Sequence, residues 1–391
     1  MTSSVQGNSI IKLTVSRKKI LFIIPSLEEG GAERVLVNLL KRLDYSLFEV
    51  DLCVVENRGI YFKDIPEQVN VITIFNSSLW CRVFSNVHIR FNINGFYRLI
   101  VNRKIKKHYN TGISFLDSSF TDILFFLDEK VEKKIAWVHS SYQTYRNFKK
   151  FFTDKYTKRV INHRYKRLDH IVFVSEDSRA EFRQIFGEFS SMQVIYNMID
   201  AADVLKKSGE RIDERFDSEL INIVALGVLL PVKAYDKLIE AAALLKKDGL
   251  GFKIRILGNG FMEPQLRQMI QKLNVADVVE LMGFRSNPYP FLKASQVFVM
   301  TSVSEGLPTA LCEAMILGLP AVVTDSSGCR ELVGYGEFGM MTEQTVEGIY
   351  NGLKTLILSK EKREYFCLKS LQRAEIFNDS KVLNMITRLI N

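Results

Sequence analysis

The stretch VFVMTSVSEGLPTALCEAMILGLPAVVT, residues 297–324, contains a complete strand–loop–helix–strand unit. Its apolar beginning, VFVMTS, predicts a buried strand, and SEGLP at 304–308 predicts a loop. Thr309 is a favourable N-cap for a helix that ends at Gly318, and the closing PAVVT predicts the next strand. Two strands joined by a helical crossover pair in parallel, so this unit predicts a doubly wound α/β sheet.

Strand and helix patterns alternate in the same way along the rest of the chain. Further short apolar runs predict strands at 19–24, 48–55, 112–116, 133–139, 170–175, 193–197, 221–229, 252–258 and 277–283. Amphipathic helices are predicted at 233–247 and 263–273.

The chain length predicts more than one domain, because 391 residues exceed the size at which a single core keeps growing. We predict a first Rossmann-like domain at 1–200 and a second at 201–373, with the charge-rich segment 208–219 as the linker region. A C-terminal helix at 374–391 is expected to pack back on the first domain. Two such α/β domains face each other across a cleft, and ligands of open parallel sheets bind outside the carboxyl ends of the strands.

Several protein classes are disfavoured by composition. The five cysteines are scattered without any C-x-x-C spacing, which argues against a disulfide scaffold or a zinc site and fits a reducing compartment. The N-terminal apolar run is short and lacks a small-residue cleavage site, so it predicts a strand rather than a signal peptide. No run approaches 18 apolar residues, so we expect no membrane span and a cytoplasmic protein.

The positive charge is concentrated in the first half of the chain. Residues 1–200 hold 30 Lys and Arg against 21 Asp and Glu, an excess of nine, whereas the remainder holds 23 of each. The segment 81–167 alone holds 19 basic and 6 acidic residues, interleaved with aromatic ones. Such an asymmetry suggests nucleic acid, an anionic membrane face or an acidic substrate as partner.

The two glutamates of SEGLPTALCEAM have a functional and a structural interpretation. Glu305 lies in a loop at the carboxyl end of a strand, and Glu313 lies two turns into the following helix. Gly306 and Leu307 offer backbone N–H groups beside a helix N-terminus, which favours an anion site. Alternatively, Glu305 only caps the helix and Glu313 is a solvated charge. The residue pattern by itself leaves both interpretations open.

The spacing of these glutamates resembles the E-x7-E signature of retaining family 4 glycosyltransferases, which have the GT-B fold. Five further segments occur in the family's order: PSLEEGGAERVLVNLL near the N-terminus, AWVHS at 136–140, VIYNMID at 194–200, GNG at 258–260 and GF at 283–284. The resemblance covers most of the chain and is strongest over 220–333.

The resemblance implies a role for each matching residue. Glu305 would contact donor-sugar hydroxyls, and His139 would lie at the sugar and the reacting centre. Lys233 would neutralise the leaving diphosphate, and Glu313 would bind the ribose hydroxyls. The remaining implied donor-binding residues are Gly30, Gly31, Gly258, Gly260, Phe284, Gly306, Leu307 and Pro308.

One position departs from the family pattern. Where the family has Gly-Arg-Leu, this chain has Gly227-Val228-Leu229, and valine supplies no cation for the diphosphate. Either Arg285 or Arg34 substitutes for the missing arginine, or the leaving group is stabilised less.

The implied activity is retaining transfer of a sugar from a nucleotide-sugar donor to a glycan or lipid-linked acceptor, in bacterial surface polysaccharide synthesis. We expect no cofactor and no metal, because the chain contains no D-x-D motif. The basic aromatic segment 81–167 predicts docking on the anionic inner face of the cell membrane. It matches no nucleic-acid-binding module, and no nucleic acid partner is expected. The alternatives are another GT-B enzyme, such as a nucleotide-sugar epimerase, or a non-catalytic nucleotide-sugar binder.

Overall fold

The fold is described from a computed structural model of the chain. The structure describes residues 17–28, 30–142, 154–189, 191–377 and 379–391, with the side chains of 154–158 outside the description. Part of the basic segment 81–167 therefore lies outside the described residues.

Two parallel sheets organise the described chain. The strands of the first sheet are β1 (Lys18–Ile24), β2 (Phe48–Glu56), β3 (Asn70–Phe75), β4 (Tyr109–Ser114), β5 (Val131–Val138), β6 (His170–Phe173) and β7 (Met192–Val194). Those of the second are β8 (Ile221–Leu226), β9 (Phe252–Leu257), β10 (Val279–Gly283), β11 (Val297–Met300), β12 (Ala321–Thr324) and β13 (Met340–Thr342). The orders are β3-β2-β1-β4-β5-β6-β7 and β10-β9-β8-β11-β12-β13. Both have the doubly wound order, so the predicted α/β fold is confirmed.

Helices connect the strands and cover the sheets. Those that precede β8 are α1 (Gly31–Arg42), α2 (Ser78–Phe91), α3 (Gly95–Lys104), α4 (Ile123–Phe126), α5 (Asp154–His163), α6 (Glu176–Phe186) and α7 (Ala201–Lys207). The later ones are α8 (Tyr235–Lys247), α9 (Glu263–Lys272), α10 (Tyr289–Lys293), α11 (Thr309–Ile316), α12 (Cys329–Leu332), α13 (Val346–Leu358), α14 (Lys360–Ala374) and α15 (Asp379–Ile390). None of the helices described here is long and apolar enough to cross a bilayer.

The last helix, α15, returns to the first sheet. The Thr111 hydroxyl of β4 donates a 3.2 Å hydrogen bond to the Ile390 carbonyl oxygen. Lys133 of β5 donates to the Leu389 carbonyl oxygen at 2.6 Å. Ile386, Leu389 and Ile390 are buried in a core that also contains residues of β1 and β2. These contacts hold α15 against the first sheet.

Two helix starts differ from the sequence prediction. The helix expected at 233–247 begins only at Tyr235, because Ala234 has a φ of 48° and separates it from a 3₁₀ turn at Pro231–Lys233. Thr309 is the first residue of α11 rather than its N-cap, and the capping residue, Pro308, makes no side-chain cap. The first difference matters for function, since it places Lys233 in a loop rather than on a helix face.

Candidate active site

A cleft of about 350 Å³ lies between the two sheets. The loops that follow β1, β4, β5, β8, β9 and β11 all contribute to its walls. Every one of them leaves the carboxyl end of a strand, where ligands of open α/β sheets bind. Eleven of the twelve residues implied by the resemblance line the cleft: Gly30, Gly31, His139, Lys233, Gly258, Phe284, Glu305, Gly306, Leu307, Pro308 and Glu313. Gly260 does not line it.

The SEGLP loop is held by contacts from the first sheet's side of the cleft. Ser175, which follows β6, donates a 2.7 Å hydrogen bond to the Gly306 carbonyl oxygen. The Asn197 side-chain amide lies 3.5 Å from the Leu307 carbonyl oxygen. None of the hydrogen bonds among the described residues uses the N–H groups of Gly306 and Leu307. These donors lie beside the N-terminus of α11 and are available to an anion.

Glycine is required at position 306 by a close backbone approach. A Cβ atom built on Gly306 would lie 2.0 Å from the His139 carbonyl oxygen and 2.7 Å from its carbon. The added Cβ atom would clash with backbone atoms, which cannot move aside as a flexible side chain can. The glycine therefore lets the second domain's loop close against the strand end that carries His139.

Gly258 and Gly260 support the cleft wall through their packing. A Cβ on Gly258 would lie 2.1 Å from the Gly227 carbonyl oxygen, and one on Gly260 would lie 2.3 Å from that of Leu229. Both glycines therefore let the loop after β9 pack on the loop after β8. Gly260 fits this packing role rather than the predicted contact with a ligand.

Lys233 and Glu305 form an ion pair on the floor of the cleft. The Lys233 ammonium donates to Glu305 Oε1 at 2.5 Å, and the two side chains are 18% and 14% exposed. The backbone of the lysine turn is fixed because the Thr301 hydroxyl donates to the Lys233 carbonyl oxygen at 2.7 Å. The Val303 N–H also donates to the Val232 carbonyl oxygen at 2.8 Å. The cation and the carboxylate are thus held by one framework at the end of β11.

Glu313 is buried and bonded across the cleft. Arg34 of α1 lies 3.3 Å from Glu313 Oε1, and the Tyr289 hydroxyl donates to the same oxygen at 3.1 Å. Burial raises the pKa of Glu313, and the nearby Arg34 charge opposes that rise. The alternative of a solvated surface charge is wrong for Glu313, since this residue is only 3% exposed.

His139 presents a neutral imidazole to the cleft. Its ring lies 4.7 Å from that of Phe115, centroid to centroid, and its Nε2 is buried without a hydrogen-bond partner among the described residues. Burial lowers the pKa of His139 to about 3. A buried nitrogen left without a partner at a cleft wall is a ready contact for a ligand hydroxyl.

We predict that His139 stays neutral throughout the physiological pH range. Because its folded pKa lies below the unfolded value, the folding stability that it contributes is present above about pH 6.5 and declines as the pH falls toward 3. Titration of the imidazole by NMR should show no protonation of His139 between pH 8 and about 5. Protonation of this ring near pH 6.5 would contradict the burial argument.

No free arginine replaces the one missing at position 228 in the described part of the cleft. Val228 is 37% exposed and lines the cleft. Arg285 is paired with Glu214 at 2.8 Å, and Arg34 with Glu313. Both proposed substitutes lie at the cleft, but each is already neutralised by a carboxylate.

Four contributors were not predicted from sequence. Ser175 and Asn197 lie in apolar segments that predict strands, with no local pattern to indicate a role in the cleft. Tyr289 binds Glu313 from α10, and Glu33 lines the cleft beside Arg34. Burial raises the pKa of Glu33. The contacts of Ser175, Asn197 and Tyr289 join residues that are distant in the chain, so spacing does not reveal them.

Two family models match the chain in succession. Residues 29–203 match the model described as Glycosyltransferase Family 4, and residues 206–369 match Glycosyl transferases group 1. The two matches cover every strand of both sheets except β1, and every residue that lines the cleft. The chain is a GT-B glycosyltransferase.

Relatives support this assignment, and a solved structure shares the fold. The glycosyltransferase is 29% identical over 376 residues to the N-acetylgalactosamine-N,N'-diacetylbacillosaminyl-diphospho-undecaprenol 4-alpha-N-acetylgalactosaminyltransferase of Campylobacter jejuni, covering 93% of this chain and 97% of that protein. It is 36% identical over 132 residues to the putative colanic acid biosynthesis glycosyltransferase WcaL of Escherichia coli, covering 32% of each. Anabaena HepE, crystallised with UDP and glucose, superposes with a TM-score of 0.71 at 18% identity, covering 96% of this chain and 99% of that one.

Proposed function

We propose that the cleft binds a nucleotide sugar and that the enzyme transfers the sugar with retention of anomeric configuration. The observation that carries this is the convergence of Lys233, Glu305, Glu313 and His139 on one cleft with the free N–H groups of the SEGLP loop. The resemblance assigns Glu305 and His139 to the sugar, Lys233 to the diphosphate and Glu313 to the ribose. HepE, a structural neighbour, has been crystallised with UDP-glucose, which supports a nucleotide-sugar donor.

The charge balance of the cleft implies an exchange of partners when the donor binds. Among the described residues, three cations line it, and each is paired with a carboxylate: Arg34, Lys233 and Arg285. A diphosphate needs cationic compensation in a partly buried site. Lys233 meets this need at the SEGLP loop by leaving Glu305.

The same exchange prepares Glu305 for the sugar. Once Lys233 binds the diphosphate, both Glu305 oxygens can accept hydrogen bonds from sugar hydroxyls. The ion pair between Lys233 and Glu305 therefore keeps two donor-binding groups oriented until the donor separates them. Preorganised groups of this kind stabilise charge in the transition state without reorganisation at the moment of reaction.

The proposed reaction breaks the bond between the anomeric carbon and the diphosphate oxygen and forms one to an acceptor hydroxyl oxygen, whose proton passes to the leaving diphosphate. Positive charge develops at the sugar ring and negative charge on the leaving diphosphate. Lys233, the N–H groups of Gly306 and Leu307 and the start of α11 stabilise the leaving group. Pro308 shapes the corner but has no N–H to donate.

The remaining donor contacts are proposed from position. Phe284 is 39% exposed in the cleft wall, and its N–H is fixed by Asn259 at 2.8 Å, so its ring suits the nucleotide base. Glu313 binds the ribose hydroxyls, while Arg34 and Tyr289 keep their contacts with Glu313 Oε1. Gly31 lets α1 lie close to α11 at the entrance of the cleft, since a Cβ atom on Gly31 would lie 3.2 Å from the Thr309 hydroxyl. Gly30 precedes it at the same cleft wall.

The proposed acceptor is a glycan or a lipid-linked saccharide of a bacterial surface polysaccharide. The name of the Campylobacter relative gives a diphospho-undecaprenol acceptor, and WcaL is named for colanic acid biosynthesis. We assign acceptor binding to residues 1–200 and the nucleotide sugar to 201–373, with 374–391 belonging to the first unit. We place the enzyme in the cytoplasm, on the inner face of the cell membrane, and propose no nucleic acid partner.

A panel of UDP-, GDP- and other nucleotide sugars, incubated with a diphospho-undecaprenol saccharide, tests the proposed function. Nucleoside diphosphate should appear together with a lengthened acceptor whose new linkage has the donor's anomeric configuration. An inverted linkage would contradict retention. An epimerised sugar formed without acceptor would favour the alternative of a nucleotide-sugar epimerase, and binding without turnover a non-catalytic binder.

We predict that transfer is independent of metal ions. The leaving group is stabilised by Lys233 and backbone N–H groups, and no group of three or more His, Cys, Asp or Glu side chains in the described ranges is arranged to hold a metal. Excess EDTA should leave the initial rate unchanged within about twofold. Loss of turnover with EDTA that Mg²⁺ or Mn²⁺ restores would contradict this prediction.

A further inference from the structure

A long part of the first domain contains no acidic residue at all. Between Glu67 and Asp117 there are 49 residues without Asp or Glu. The same segment contains seven basic residues: Arg82, Arg90, Arg98, Arg103, Lys104, Lys106 and Lys107. It spans β3, α2, α3 and β4, so these elements contribute no negative charge of their own to the surface.

The helices of this segment expose large apolar side chains. We call the outer surface of α2, α3 and their connection the α2–α3 patch. Its most exposed members, between 56% and 76% exposed, are Leu79, Trp80, Phe91, Ile93 and Phe96. Val83 and Leu99 extend it at 40% and 48%. Isolated exposed apolar residues are ordinary, but seven within 21 residues on two consecutive helices and their connection are more than a scattered set.

Core packing does not account for the patch. The inner face of α2 is occupied by Cys81, Ser85 and His88, and that of α3 by Tyr97 and Val101. The exposed residues lie on the other side of each helix. An open groove of about 440 Å³ beside the patch is lined by residues of β3, α2 and α3, among them Phe75, Trp80, Phe84 and Ile100.

Six basic residues in and next to α2 and α3 are available to a partner. Among the described residues, no carboxylate pairs with Arg82, Arg90, Arg98, Arg103, Lys104 or Lys106. By contrast, Lys107 pairs with Glu49 and Asp51 at 2.8 Å, and Arg164 pairs with Asp122 at 2.9 Å. Positive charge is therefore available to a partner on and beside α2 and α3.

We infer that the α2–α3 patch is a membrane-docking surface that inserts Leu79, Trp80, Ile93 and Phe96 into an anionic lipid leaflet. Aromatic and aliphatic side chains enter the headgroup boundary while the surrounding arginines bind the anionic headgroups. An apolar surface of this kind does not suit nucleic acid, whose contacts are mostly to phosphate and sugar.

The position of the patch relative to the cleft fits this partner. α2 begins three residues after β3 ends, at the carboxyl edge of the first sheet, and loops at that edge form the cleft. A leaflet bound there would present a lipid-linked acceptor near the cleft mouth. This inference rests on the proposed transferase function for its purpose, whereas the binding itself is independent of catalysis.

Vesicle flotation with the full chain tests the inference. Vesicles of phosphatidylcholine with about 30% phosphatidylglycerol should bind the protein at least about tenfold more strongly than pure phosphatidylcholine, and added salt should weaken the binding. The double variant Trp80→Glu/Phe96→Glu should lose about tenfold or more of the partitioning. Leu368→Glu is the matched control, since Leu368 is 70% exposed on α14 outside the patch, and it should bind as the wild type does.

A second variant separates the charge contribution from the apolar one. Arg82→Gln/Arg90→Gln/Arg98→Gln keeps every apolar residue of the patch and should lose about tenfold or more of the preference for anionic vesicles. Wild-type protein that does not float with anionic vesicles would overturn the inference, as would patch variants that bind like the control. Self-association that disappears in the Trp80→Glu/Phe96→Glu variant, without lipid binding, would assign the patch to a protein interface instead.

The outcome is separable from that of the proposed function. Thermal stabilisation by nucleotide sugars should be the same in the patch variants as in the wild type, because the patch residues do not line the cleft. Lipid binding without nucleotide-sugar binding would leave the patch intact and contradict the transferase site. Nucleotide-sugar binding without lipid binding would support the transferase site and overturn the membrane-docking inference.

Discussion

Glu305→Gln is expected to lower kcat for sugar transfer by about two to three orders of magnitude while nucleoside diphosphate still binds. Glutamine keeps the size of the side chain but removes the negative charge that faces the developing positive charge of the sugar. It also removes the ion-pair partner of Lys233, which lies 2.5 Å from Glu305 Oε1. Lys233 then meets the diphosphate without first leaving a carboxylate, so nucleoside diphosphate should bind as tightly as before or more tightly.

Steady-state kinetics together with calorimetric titration of nucleoside diphosphate measures both effects. Glu347→Gln is the matched control, since Glu347 is exposed on α13 and makes the same change of charge outside the cleft. Full turnover by Glu305→Gln would contradict the assignment of this residue to the sugar. Loss of nucleoside diphosphate binding in the same variant would also contradict that assignment, because Glu305 would then be needed for the nucleoside diphosphate.

Gly306→Ala is expected to lower kcat/KM on the order of a hundredfold without unfolding the protein. The new methyl group would lie 2.0 Å from the His139 carbonyl oxygen, so either the SEGLP loop or the opposing strand end must move. Such a movement displaces the Gly306 and Leu307 N–H groups from the diphosphate. It also separates Glu305 from His139, and positioning errors of this kind are costly to catalysis.

Activity assays combined with circular dichroism distinguish a closure defect from misfolding. Gly251→Ala is the control, because a Cβ there meets only ordinary contacts, 3.5 Å from the Leu220 side chain. Gly251→Ala should retain wild-type activity. Wild-type activity in Gly306→Ala would show that the close approach of Gly306 to the His139 carbonyl is not needed for transfer.

The sequence predicted the architecture because buried parallel strands have a clear pattern. Compact apolar runs such as those of β1 and β8 are distinctive, and the helices between them are regular. The strands β3 and β13 were missed, since β3 is half-exposed at a sheet edge and β13 has only three residues. The helices α2 and α3 were also missed, because their exposed apolar residues obscure the period of an amphipathic helix.

The individual residues of the candidate site could be predicted from the sequence, but their contacts with one another could not. The glutamates, His139, Lys233 and the glycine loops are conspicuous in sequence, and the structure brings them together at one cleft. The spacing of residues along the chain does not reveal which of them form ion pairs. The Lys233–Glu305 and Arg34–Glu313 contacts join residues 72 and 279 positions apart in the chain. The fate of the missing arginine at Val228 depends on those pairings, so it needed the structure.

Nucleotide-sugar binding to Lys233→Met tests the central claim most directly. Methionine keeps the length of the side chain and removes the cation that we assign to the diphosphate. At least one nucleotide sugar should raise the melting temperature of the wild-type protein, and its affinity for Lys233→Met should be lower by about tenfold or more. If no nucleotide sugar stabilises the wild type, or if Lys233→Met binds the donor equally well, the cleft is not the donor site described above.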